Sequence, residues 1–377
     1  MSVVARTLSA LRAQSAAVQI GPIGVDLALE CVHLVQLESV AGGSTQVRAR
    51  ASIPFEAPRR ELLTSPHQFR SLLRRALDSD RFYGRKAVLA MPAGMFRTVS
   101  VNYQFAGAKE KEADAVLQVM KDRLDGDLSQ YVLDYMPVTN QSKSGERLAI
   151  VAVSDRQPVI DFLELARKAK LDVHALEIGP VAISRLVGAM STAQGASNAL
   201  VINSGRSASY LTLISGSNLL FDQEIGLGED NLIKQVAETL DISVNMARDM
   251  VLRTGVHPGA EGEATMSEED NGLMMTMSEI LKPQFLKLVE EVKRAFLYAA
   301  AETRGGAVSK VYLLGGIARW RGADRLLSNL ADVDVQTIPD PLALFPAENG
   351  RDAEAPRSSA SEVAVATGLA LRGMDCG

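Results

Sequence analysis

Two polar turns, each closing an apolar run, hold the residues of this chain best suited to chemistry. One follows Ala199-Leu200-Val201-Ile202 and opens with Asn203-Ser204-Gly205. The other follows Ile23-Gly24-Val25 and reads Asp26-Leu27-Ala28. A tight turn between buried strands presents backbone N–H groups and small side chains at a sheet edge, where they can grip a phosphate. Each turn also has a plainer reading, because Asp and Asn form ordinary Asx-type turns. Both are strand–turn–strand units, and two copies of one unit suggest a duplicated fold with a cleft between the copies.

The elements that must position these turns follow from hydrophobic period. After the second turn, 210–214 and 219–221 read as strands around Ser215-Gly216-Ser217-Asn218; after the first, 32–37 and 46–53 do. Ser65, Pro66 and Gln68 start a helix by cap, first-position proline and capping-box spacing. Phe69, Leu72, Leu73, Ala76 and Leu77 form its buried face, with Arg70, Arg74 and Arg75 opposite. Strands are expected at 86–91, 96–101, 131–138, 147–154 and 171–176, and helices at 110–124 and 158–170. In the second half the periodicity predicts helices over 229–240, from the cap Ser243 to before Gly255, over 277–302 and over 323–330. A strand at 310–314 runs into Gly315-Gly316-Ile317-Ala318, and a short apolar helix occupies 363–372. The acidic, glycine-rich stretch 256–272 and the stretch 347–360 read as loops, the former mobile. Residues 1–20 read as a tail or an amphipathic helix.

Composition excludes several classes. The 377 residues are 47% apolar and 23% charged, an ordinary globular mixture sufficient for about two domains. A net charge of −5 argues against a nucleic-acid-binding surface. Cys31 and Cys376 have neither metal-ligand nor CxxC spacing, which fits a reducing compartment. Glu30, Cys31 and His33 alternate along a strand and form no metal or Cys–His constellation. From residue 59 to 86 there are eight Lys or Arg and three Asp or Glu, read as a solvated helix face, with an acidic partner or anionic lipid as the alternative. No apolar run approaches the ~18–20 residues that cross a bilayer. Arg6 and Arg12 would interrupt a signal's apolar core. A cytoplasmic location is expected.

Taken together, Ile23-Gly24-Val25-Asp26, Asn203-Ser204-Gly205, Gly315-Gly316-Ile317-Ala318 and the ending Ala364-Val365-Ala366-Thr367-Gly368-Leu369-Ala370-Leu371-Arg372 resemble the actin-like ATPase superfamily. Within it they are similar to the PilM family of type IV pilus assembly proteins, relatives of the cell-division protein FtsA. The resemblance spans residues 23–373. It implies an α/β, two-lobed actin-like (ribonuclease H-like) ATPase fold with a small α+β insert in the first lobe. It divides the chain into a tail (1–20), the first lobe (21–85), the insert (86–176), a return and linker (177–197), the second lobe core (198–228), its helical subdomain (229–306), and the remaining core with the C-terminal helix (307–377). It further implies ATP and Mg²⁺ in the cleft. Asp26 and Ala28 then belong to the first phosphate loop, and Asn203, Ser204, Gly205, Arg206 and Ser207 to the second. Gly315, Gly316 and Ile317 lie near adenosine, Asp26 on the Mg²⁺ side, and Glu177 where a water is polarised. The partner implied is the N-terminal peptide of a PilN-like inner-membrane protein. Other subunits of the pilus alignment complex are implied with it, and membrane association is indirect.

The phosphate loops depart from the superfamily pattern. Where glycine, serines and lysine are expected, the first has Ala28, then Leu29, Glu30 and Cys31, then His33. Ala28 admits less close backbone approach than glycine. Glu30 puts a negative charge where a triphosphate would lie. Asn203 replaces an Asp and cannot offer a full charge to a Mg²⁺-bound water. The reading is therefore a PilM-like scaffold that can still bind ATP but in which hydrolysis is weak or lost. The alternatives are an active ATPase or small-molecule kinase, with Arg206 in place of the lysine, and a GspL-like cytoplasmic domain of a secretion system.

Overall fold

Runs rich in Val, Ile and Leu build two five-stranded sheets of the same connectivity in the computed structural model. It describes residues 18–40, 45–105, 111–138, 146–190, 198–216, 218–258, 267–302, 307–338, 340–345 and 362–374. The first sheet opens with β1 (Val18–Leu27), β2 (Cys31–Val40), β3 (Thr45–Pro54) and β4 (Lys86–Met91). Three strands, β5 (Arg97–Gln104), β6 (Tyr131–Val138) and β7 (Glu146–Asp155), form a sheet of their own before β8 (Asp172–Ile178) returns to the first. Its order is β3-β2-β1-β4-β8, antiparallel through β1 and parallel beyond it. The second sheet comprises β9 (Asn198–Ser204), β10 (Ser209–Ser215), β11 (Asn218–Ile225), β12 (Val308–Gly315) and β13 (Val335–Thr337). Its order, β11-β10-β9-β12-β13, repeats the same antiparallel-then-parallel pattern. The duplication expected from the two turns is present in full.

Among the described residues ten helices cover these sheets. In the first lobe, α1 (Arg59–Leu62) precedes α2 (Pro66–Asp78), whose cap Ser65 accepts the Gln68 N–H at 3.4 Å. The predicted face, Phe69, Leu72, Leu73, Ala76 and Leu77, is buried on the sheet. Helix α3 (Glu112–Lys121) lies on the small sheet, and α4 (Arg156–Lys168) packs beside α2 through Phe162 and Leu165. Helix α5 (Gly179–Met190) leads to the second lobe, where α6 (Glu229–Leu240), α7 (Val244–Thr254), α8 (Glu268–Glu302) and α9 (Ala323–Ala331) cover one face. Helix α10 (Ala364–Arg372) closes the described chain against α5 and β1.

Helices α5 and α10 form the layer between the two large sheets. One cluster joins Val35 and Leu37 of the first sheet, Val201, Ile214 and Leu314 of the second, and Ile183, Leu186 and Ala366 of the two helices. Backbone approach there is tight. A Cβ on Gly368 would come within 2.0 Å of the Ala182 carbonyl oxygen, so only glycine fits. The small sheet packs α3 on one face. Val138, Leu148 and Ile150 join the core of the second lobe from the other.

The structure redraws several expectations. Within 86–176, β4 and β8 pair with each other and β4 with β1, and α4 packs on the same core, so only β5–β7 and α3 form the separate unit. Residues 177–190, read as a return segment, hold α5. Helix α8 starts at Glu268, inside the stretch read as a mobile loop. Residues 18–20, placed in the tail, begin β1. Residues 1–17, 191–197, 259–266 and 346–361, to which the tail, part of the linker and parts of the two loops were assigned, lie outside the described residues.

Candidate nucleotide cleft

The ends of β1 and β9, equivalent in the two sheets, face one cavity of about 460 Å³ between the lobes. Asp26, Ala28, Asn203, Ser204, Gly205, Arg206, Gly315 and Gly316 all line it. Ser207 opens instead onto an adjoining groove, and Ile317 is buried behind the wall. Glu177 lies outside the lining. Its carboxylate is gripped by both Arg185 nitrogens, at 2.8 and 2.9 Å, and by Arg372, tying β8 to α5 and α10. In this position it braces the inter-sheet layer.

In the first turn, Asp26 is recessed in the cleft wall, and burial pushes its carboxyl up to about 7 against the pull of the nearby Arg59. Arg59 lies across the turn: its guanidinium donates to the carbonyls of Leu27 (3.3 Å), Ala28 (3.4 Å) and Ala93 (2.8 Å). His33, opposite Asp26 in the ladder, bonds Ser52 through Nδ1 at 2.9 Å, and burial lowers its pKa to about 4. Across the cleft, burial raises Asp222 to about 7, although Thr212 donates to it at 2.7 Å.

In the second turn the polar groups are engaged by one another. Gly316 N–H donates to the Ser204 carbonyl at 2.8 Å, and Ile317 N–H to the Ser204 hydroxyl at 2.7 Å. Gly205 N–H donates to Ala208 O at 2.9 Å. A Cβ on Gly315, whose φ is +81°, would stand 2.1 Å from Ser204 O. Asn203-Ser204-Gly205 and Gly315-Gly316-Ile317 are thus two sides of one joint, holding the end of β9 to the end of β12.

A chain of ion pairs crosses the cavity. Glu30 of the first lobe meets Arg206 of the second, which also holds Asp230 at 3.2 Å. Arg248 bonds Asp230 at 2.5 Å and approaches Glu229 at 3.7 Å. Glu229, 1% exposed, accepts from Arg319 at 3.2 Å and from Trp320 Nε1 at 3.2 Å. Arg319 reaches Glu362 at 3.4 Å. The sequence offered no signal for Arg59, Asp222, Glu229, Arg248, Arg319 or Glu362, which come from separate elements with no shared spacing. Trp320, the only tryptophan of the sequence, is buried in the second-lobe core while bonding Glu229. Among the described residues no group of three or more His, Cys, Asp or Glu is placed to hold a metal ion.

The duplicated sheets, the helical layer between them and the cleft at their equivalent ends can be compared with known proteins. A solved chain titled as a PilM–PilN type IV pilus biogenesis complex superposes with a TM-score of 0.71 at 20% identity, covering 94% of this chain and 98% of that one. MreB5 of Spiroplasma citri bound to AMPPNP matches at 0.50 and 13% identity, covering 95% of this chain and 96% of its own. At these identities the likeness establishes the actin-like fold. The family model described as type IV pilus assembly protein PilM matches residues 24–374, and the chain belongs to that family.

Proposed function

We propose that this chain is a scaffold of type IV pilus assembly that docks the N-terminal peptide of a PilN-like inner-membrane protein on its first lobe. The observation that carries this reading is the family match over residues 24–374, joined to a fold shared end to end with a chain solved in a PilM–PilN complex. A groove of about 830 Å³, walled mostly by the first lobe and closed at one end by Arg206, Ser207 and Asp230 of the second, offers a seat for an extended peptide. Leu63, Pro92, Met95 and Phe162 supply apolar wall, Arg60 and Asp161 a charged rim. Met95 belongs to the segment that leads from β4 into the small sheet, so a peptide lying there would touch both units. No helix among the described residues is long and apolar enough to cross a membrane, so attachment to the inner membrane would come through the partner. Other alignment-complex subunits would then assemble on the same cytoplasmic platform.

Isothermal calorimetry with a peptide from the N-terminus of the PilN-like partner tests this. Saturable one-to-one binding is expected, weakened when the groove wall is changed. No heat with a folded protein would refute the docking reading. An active ATPase or kinase finds no separate support in the cleft, where the groups that would hold a nucleotide are bonded to protein.

A further inference from the structure

We propose that this chain bridges its cleft with its own carboxylates in the place a triphosphate would take, and that it does not bind magnesium–ATP. This goes beyond the docking reading and does not depend on it.

A triphosphate between two such loops needs free N–H groups, hydroxyls and cations around it. In the second loop the Gly205, Gly316 and Ile317 N–H groups already have partners within the protein, and the Ser204 side chain is buried against the Ile317 N–H. The N-terminus of α6 is the natural anion site of this lobe, and its first two residues are Glu229 and Asp230. The cations are answered in the same way. Arg206, Arg248 and Arg319 face Glu30, Asp230, Glu229 and Glu362, three positive charges against four negative. On the first lobe the guanidinium of Arg59 is turned to three backbone carbonyls. Asp26 stands beside it where a Mg²⁺ ligand is expected.

Glu30 is the decisive residue, because it occupies a serine position of the first loop and meets Arg206 of the second. A carboxylate of one lobe thus answers a cation of the other. Both side chains are about half exposed, so the pair adds little to stability. Its effect is on charge. A highly charged anion entering the cleft would have to displace Glu30 and Asp230 from Arg206 while facing Glu229 and Glu362, whose own cations stay paired with them.

Calorimetry on the whole chain tests this with Mg·ATP and with sodium tripolyphosphate up to about 1 mM, roughly a hundredfold above a ~10 μM dissociation constant. The unaltered chain is expected to take neither. A variant carrying Glu30→Ser and Asp230→Ser, which frees Arg206, is expected to bind tripolyphosphate at least tenfold more tightly, and adding Arg206→Gln should abolish that gain. Binding of Mg·ATP by the unaltered chain at or below about 10 μM would overturn the proposal. A folded double variant that gains no anion affinity would overturn it as well, since the carboxylates would then not be what excludes the anion. If the double variant does not fold, Glu30→Gln, at a half-exposed site outside the core clusters, makes the same comparison.

Discussion

Gly24 of β1 and Ala366 of α10 meet backbone to backbone: a Cβ on Gly24 would lie 2.1 Å from the Ala366 carbonyl oxygen and 2.7 Å from the Ala370 nitrogen. The two stretches that carried most of the family resemblance, one near each end of the chain, are the two halves of a single contact. Helix α10 can sit on β1 only because residue 24 lacks a side chain.

Gly24→Ala should therefore force α10 away from the sheet. Overpacking a close contact costs about 1–3 kcal/mol, and here the obstacle is backbone, which yields less than a side chain. A fall in unfolding free energy of that size, read from a lower urea midpoint at an unchanged slope, is expected. An unchanged midpoint would mean that α10 does not bear on β1 in solution.

Asp26 makes stability depend on pH. Its carboxyl ionises at an ordinary 3.8 in the unfolded chain and at about 7 in the fold. Between these values the folded state keeps a proton that the unfolded state has released, so stability declines as pH rises through that window and is level above it. His33 acts in the opposite sense, with a folded pKa of about 4 against 6.5, adding stability as pH rises between them. Asp26→Asn should match the parent near pH 4 and exceed it by roughly 1–3 kcal/mol at pH 8, a figure reduced because the carboxyl at the cleft wall keeps some contact with solvent. Denaturation curves at the two pH values decide it; an equal difference at both would contradict the raised pKa.

Ser204 joins β9 to β12. Ser204→Ala leaves the buried Ile317 N–H without its acceptor, at a cost of about 1–3 kcal/mol. The loss should appear as a lower thermal midpoint together with faster hydrogen exchange at Ile317. Unaltered exchange there would show that the joint does not depend on the hydroxyl.

Leu63 lines the proposed peptide groove at the edge of the first-lobe core. Leu63→Glu places a charge against the apolar wall and, in protein shown to be folded, should weaken binding of the PilN-like peptide at least tenfold, about 1.4 kcal/mol. Equal affinity in parent and variant would move the docking site elsewhere on the molecule.

Much of the fold was legible in local sequence, because a period of two or of three to four residues records which face of an element is buried. The strands around Asp26 and Asn203, the cap at Ser65, the length of α6 and the inner face of α8 through Leu281, Phe285 and Leu288 all carry that mark. Helix α5 does not. It is clasped between two sheets and α10, so its apolar residues occupy most of its circumference and leave no single stripe. The same limit applies to β4 and β8, whose membership in the first sheet rests on parallel pairing between distant strands.

The sequence by itself determined that two related strand–turn–strand units exist, that their turns depart from a nucleotide-binding pattern, and to which family the ending 364–372 points. Only the tertiary structure decided what those turns do with their polar groups. Glu30 and Arg206, Glu229 and Arg319, Glu177 and Arg372 are each far apart along the chain, and no local spacing can announce which carboxylate will meet which cation. The reason is physical: hydrophobic period reports burial one element at a time, whereas charge pairing in a cleft is settled by how two folded lobes bring their loops together.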